Sequence, residues 1–141
     1  MNGSGPSIAI FPGQSDGTLG VPKYVNGGIA VALAVGDING DGISGIIGVN
    51  PTTTAFVPLL NAGKGTFTLQ AALPFTEDFP GRVVLADFAG SGRNDLLAVC
   101  HNPDVLYLYP NLGGGNFGPA QALANLGPEP SSCSHQKSHC L

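Results

Sequence analysis

A chain of 141 residues is enough for one domain. Five basic against nine acidic residues leave a net charge of −4, without the Lys/Arg field that a nucleic-acid surface needs. Only 10% of the residues are charged, while 22 Gly and 12 Pro imply many short segments and turns, and no apolar run approaches the length of a membrane-spanning helix, about 18 residues or more.

Residues 1–6 carry neither a basic region nor an apolar run, so no leader is expected there and the start reads as an interior cut. Residues 7–11 read as a strand, 12–17 as a hairpin turn, 18–24 as the return strand, and Asn26-Gly27-Gly28 ends it. Residues 29–35 form a near-continuous Ile/Ala/Val/Leu run, which suits a strand buried on both faces. Strands are expected next at 46–49, 54–60 and 66–73, the last alternating with Phe67, Leu69 and Ala71 on one face. After a longer loop at 74–81 the cycle restarts. Residues 82–86, 96–100, 105–109 and 116–123 repeat the four strands, and Cys100 in the second of them reads as a small buried hydrophobe. From Ala124 the pattern stops, and 124–141 reads as a disordered tail.

Between the first two strands of each cycle lies a bend with oxygen side chains at alternate positions. In Asp37-Ile38-Asn39-Gly40-Asp41-Gly42 three such side chains converge if the backbone curls, and the glycines let it curl. Hard oxygen ligands on a tight turn suit calcium. The frame recurs at Asp87-Phe88-Ala89-Gly90-Ser91-Gly92, with Asp37 and Asp87 standing 50 residues apart. The hairpins Asn61-Ala62-Gly63-Lys64-Gly65-Thr66-Phe67 and Asn111-Leu112-Gly113-Gly114-Gly115-Asn116-Phe117 align as well, and both align with the turn after Phe11. Four short strands at a period of about 50 residues mark a β-propeller blade.

On these two motifs, over residues 7–123, the chain resembles the FG-GAP/VCBS repeat family, the blades of integrin-α-like propellers. The resemblance implies an all-β propeller fragment of about two and a half four-stranded antiparallel blades, not a closed ring. Residues 1–28 would be the outer half of a preceding blade, 29–81 one blade with its calcium-type loop at 37–45, and 82–123 another with a degenerate loop at 87–95. It also implies calcium held by Asp37, Asn39, Asp41 and the Ile43 carbonyl. The family's ninth loop position is Gly45 here, so the closing carboxylate is missing. In the second loop Asp87 and Asp95 keep the first and ninth positions, while Ala89 and Ser91 weaken the third and fifth. A metal-free turn, with Asp37 or Asp87 accepting backbone N–H bonds, is the competing reading.

Other motif matches are weaker. An EF-hand would need Glu at the twelfth loop position and flanking helices, but Gly48 stands there between β-like runs. Gly13-Gln14-Ser15-Asp16-Gly17 fits the nucleophile pattern G-x-S-x-G, yet it joins two expected strands and no histidine is placed to serve it. Two G-x-G-x-x-G matches, at 40–45 and 113–118, open no helix. Cys133, His135, His139 and Cys140 are zinc ligands by type only. In the 74–81 loop, Phe75, Glu77, Asp78 and Phe79 could belong to a binding face, although Phe75 and Phe79 read rather as plugs between blades.

A propeller closes with four or more blades, about 200 residues at this period, so this chain cannot close a ring alone. The expected neighbours are further blades of the same protein or other copies of the chain, the former being favoured. The resulting expectation is a non-enzymatic scaffold, secreted or at the cell surface, presenting loops to a protein or glycan ligand. A propeller lectin, or an accessory domain of a secreted polysaccharide-acting enzyme, are the alternatives.

Overall fold

The structure is a computed structural model that describes residues 8–26, 28, 30–75, 80–101 and 104–125. Among these residues it is all β, without a helix, and its antiparallel sheets do not close into a barrel. The first sheet pairs β1 (Ile8–Ile10) with β2 (Lys23–Val25). The central sheet lays β3 (Leu33–Asp37), β4 (Ser44–Asn50), β5 (Ala55–Asn61) and β6 (Phe67–Leu69) side by side in chain order, and β7 (Leu73–Pro74) returns to the far end of β5. The third sheet follows with β8 (Pro80–Ala86), β9 (Asp95–His101) and β10 (Asp104–Tyr109). A short ribbon of β11 (Asn111–Gly113) and β12 (Asn116–Phe117) leads to β13 (Gln121–Asn125), which completes that sheet beside β10.

The middle strands of the central sheet are apolar at odd and even positions alike, so both faces must be covered. Ile47, Val49 and Phe56 face the third sheet and meet Val83, Leu96, Ala98 and Tyr109 there. Ile46 and Leu59 face the first sheet and pack with Ile8, Ile10 and Val25. The three sheets therefore stack face to face with two apolar seams. The larger seam carries an aromatic cluster. The Phe56 ring lies 5.0 Å from Phe75 and 5.1 Å from Tyr109, edge-on to the latter, the arrangement that ring quadrupoles favour. Phe75 is thus the expected plug between sheets, and Cys100 is buried as expected.

Several strand expectations need correction. The run at 29–35 is not buried on both faces. Its strand begins at Leu33; of the run's described residues Ala34 is buried and Ala30 and Ala32 are partly covered, while Leu33 is 47% and Val35 64% exposed. Among the described residues, the two strands of the first sheet cover Ile46 and Leu59 on this face but not Leu33 and Val35. The return strand expected over 18–24 shrinks to Lys23–Val25, because Pro22 supplies no ladder donor and Gly20 folds back to donate its N–H to the Pro12 carbonyl. Each fourth strand is split in two, into β6 and β7 in the central sheet and into β12 and β13 beyond. Strand β13 also runs to Asn125, two residues into the expected tail. The rest of that tail, with Cys133, His135, His139 and Cys140, lies outside the described residues, as do Glu77, Asp78 and Phe79. Among the described residues no helix is long and apolar enough to cross a membrane.

This asymmetry separates two truncations. Phe56→Ala, at the centre of the larger seam, should cost about 3–5 kcal/mol in urea unfolding. Val35→Ala, on the open face, should stay within about 0.5 kcal/mol of the parent. Comparable losses from both would contradict the packing described.

Candidate metal-binding loops and the polar clip between sheets

The first loop turns between β3 and β4, which the antiparallel ladder closes with Asp37 opposite Ser44. Gly40 and Gly42 sit at φ of 85° and 81°, a left-handed backbone that a side chain would strain. That conformation directs loop amides inward onto Asp37. Its Oδ1 accepts from the Gly40 N–H at 2.7 Å and its Oδ2 from the Gly42 N–H at 2.8 Å. The Asn39 amide donates to Asp41 Oδ2 at 2.9 Å, and the Ile43 N–H donates to Asp41 Oδ1 at 2.8 Å. The structure thus brings Asp37, Asn39, Asp41 and the Ile43 backbone into one hydrogen-bonded turn. Desolvation raises the Asp37 carboxyl, but the amides of Gly42, Gly40, Asn39 and Asp41 together outweigh it. Its pKa lies below the ordinary 3.8.

The second loop is built differently underneath. Asp87 repeats the role of Asp37, accepting from the Ser91 and Gly92 amides, both at 2.8 Å. Asp95, by contrast, is 1% exposed and lies beneath the loop. One of its oxygens accepts from the Phe88 and Ala89 amides and the other from the Asn111 amide. The two carboxylates are engaged with separate sets of amides. In the first loop the corresponding space is filled by Ile38, also 1% exposed. A Cβ placed on Gly45 would lie 2.8 Å from Ile38 Cδ1 and 2.7 Å from the Leu59 carbonyl oxygen. The absent ninth-position carboxylate is therefore not an open coordination place. An isoleucine side chain has taken the volume, and glycine is what still fits beside it.

Sequence reasoning missed the groups that tie the two loops together. Asn94 donates its side-chain amide to the Asp37 carbonyl at 3.0 Å. Buried Asn111 donates to the Ile38 carbonyl and to the Asn94 carbonyl, each at 2.8 Å, while its Oδ1 accepts from the Gly113 N–H. Arg93 Nε donates to the Asn111 carbonyl at 3.1 Å. Asn94 of the second loop and Asn111 of β11 thus clip two successive carbonyls of the first loop. The central sheet has half the same device. Asn61 donates to the Ser44 carbonyl at 3.1 Å and accepts from the Gly63 N–H. The signal was present as the Asn-x-Gly common to both aligned hairpins, but it read as turn chemistry alone.

The nucleophile-like stretch at 13–17 forms a turn closed by a Gly13–Leu19 bridge, not a strand-to-helix elbow. The Asp16 carboxylate accepts from both the hydroxyl and the amide of Thr18, which hold its pKa below the ordinary value. Among the described residues no three His, Cys, Asp or Glu side chains cluster as a metal site would require. The first loop, with two carboxylates and an amide, offers a poorer donor set. No known family has a model that matches the chain, and no curated protein matches it either.

Three outcomes follow from this geometry. Gly45→Ala should destabilise the fold by about 1–3 kcal/mol, because backbone as well as Ile38 must yield. Asn111→Ala should cost about 1–3 kcal/mol by leaving buried carbonyls and an amide without partners, and more than Asn61→Ala at the half-exposed counterpart. Equal losses would contradict the clip. Because the pKa of Asp37 is depressed by folding, its contribution is complete above about 3.8 and is lost as pH falls through the lower folded-state value. Asp37→Asn should therefore flatten the acid limb of a stability–pH profile below about pH 4. An unchanged slope would count against the amide cradle.

Proposed function

We propose that this chain is a non-catalytic segment of an FG-GAP/VCBS-type β-propeller, a rigid scaffold that presents the loops joining its strands to a protein or glycan ligand. One observation carries the reading. The same polar frame, an Asp-led glycine bend braced by an Asn-x-Gly hairpin, stands at the same place in two face-packed sheets. A repeated unit whose side chains are spent on bracing its own backbone suits display better than chemistry. The setting that fits such a scaffold is extracellular, secreted or at a cell surface, with further blades of the same protein beside it.

Within this reading we assign calcium to the first loop only. Asp37, Asn39 and Asp41, with the Ile43 carbonyl, would hold it as hard oxygen donors, and solvent would complete the shell. The ion would replace the hydrogen bond from Asn39 to Asp41 and neutralise two carboxylates on one exposed turn. The second loop does not fit. Ala89 has no side-chain oxygen, and Asp95 is engaged with three amides below the loop.

Calorimetric titration of calcium into the apo protein tests the assignment. A loop with so few carboxylates should bind in the range of extracellular modules, about 10⁻⁴–10⁻³ M. At ten times a millimolar dissociation constant, linkage should add about 1.4 kcal/mol to unfolding stability. Asp41→Ala should abolish both effects. Flat traces for parent and variant alike would remove the calcium site.

A further inference from the structure

Among the described residues, Asn39, Asn50, Asn61 and Asn111 each fold the side-chain oxygen back onto the N–H two residues on. The ring that such a bond closes contains the asparagine Cγ and the backbone nitrogen of the next residue. Those two atoms join when an asparagine side chain cyclises to a succinimide. The turn thus brings an electrophile and a nucleophile close together, and the residue that follows decides whether they can bond.

The four differ at that residue. Pro51 has no N–H to give up, and Ala62 and Leu112 carry a Cβ beside the nitrogen. Of the four, only Asn39 is followed by glycine, Gly40. The pairs Asn2-Gly3 and Asn26-Gly27 lie wholly or partly outside the described residues. A Cβ placed on Gly40 would meet nothing within 4 Å, so the space beside this exposed residue is open to water. The Asn39 side chain is also the most loosely held. Its oxygen accepts at 3.4 Å, against 2.9, 2.9 and 2.8 Å for Asn50, Asn61 and Asn111. Asn50 and Asn111 are buried besides. The aligned second loop has Ala89 before Gly90, which confines the chemistry to the first loop.

We propose that Asn39 is a self-modification site, at which the chain deamidates through a succinimide formed with Gly40. The Gly40 nitrogen loses its proton to solvent and bonds to Asn39 Cγ. The bond from Cγ to Nδ2 breaks, and that nitrogen takes a proton from solvent and leaves as ammonia. One water then opens the ring at either carbonyl, leaving aspartate or isoaspartate at position 39. The sum is amide plus water giving acid plus ammonia, with nothing oxidised or reduced. The bonds from the Gly40 N–H to Asp37 and from the Asn39 amide to Asp41 must part first, so the rate follows opening of the loop. The product places a third carboxylate in the turn with Asp37 and Asp41, and it deletes the donor that holds position 39 to Asp41.

Incubation of the full chain at neutral pH, in water labelled with heavy oxygen and containing a chelator, followed by peptide mass spectrometry, tests this. Position 39 should convert to the acid with uptake of one labelled oxygen, and isoaspartate should be among the products. Conversion should run about tenfold faster than at Asn61, whose similar turn is followed by a residue with a Cβ. Asn39→Gln, which would need a larger ring, should leave the loop peptide unconverted. Asn39 intact in the folded chain after the urea-unfolded chain has converted fully would overturn the proposal. So would a rate no higher than at Asn61, or aspartate without isoaspartate, the mark of direct hydrolysis. The chelator keeps calcium out, so this site and the calcium assignment stand or fall separately.

Discussion

A sheet that is apolar on both faces is stable only when something covers each of them, and the central sheet is such a sheet. Ile47, Val49 and Phe56 have the third sheet on one side, and Ile46 and Leu59 have the first sheet on the other. The stack follows from this requirement more than from any single strand's propensity. It also explains why exposure is so uneven along β3. Ala34 looks toward a complete four-stranded neighbour, and Leu33 and Val35 toward a two-stranded one.

The polar groups answer a second requirement, that backbone amides and carbonyls at tight bends find partners. Asp37 and Asp87 gather amides within their own loops. Asp95 joins its loop to β11, and Asn94 and Asn111 reach carbonyls one sheet away. The two loops satisfy the same need with different side chains beneath them, an isoleucine in one and a carboxylate in the other. In the second loop the ninth-position carboxylate has become part of the scaffold's own wiring, while the first keeps its acids on the exposed turn.

Much of the architecture was legible in the sequence because it is written twice. The apolar runs, the Asp-led bends and the Asn-x-Gly hairpins recur in step, and the separate antiparallel sheets follow from them. Strand limits were less legible. Gly20 with Pro22, and Gly118 with Pro119, divide runs that periodicity alone joins. Burial of the 29–35 run could not be read from its composition, since Leu33 and Ala34 are equally apolar and only the sheet that each faces tells them apart. The loop residues were visible as ligand types, but their actual partners were not. Nothing local in the sequence says that Ile38 takes the space beside Gly45, or that Asn111 reaches over to the Ile38 carbonyl.

On this packing, stability is concentrated where the sheets are doubly covered. Native-state hydrogen exchange read residue by residue tests this most directly. The slowest amides should belong to Ile47, Val49 and Phe56 in the middle of the stack, with β1, β2 and β13 exchanging much faster. Uniform protection across all three sheets, or a maximum in β1 and β2, would contradict it.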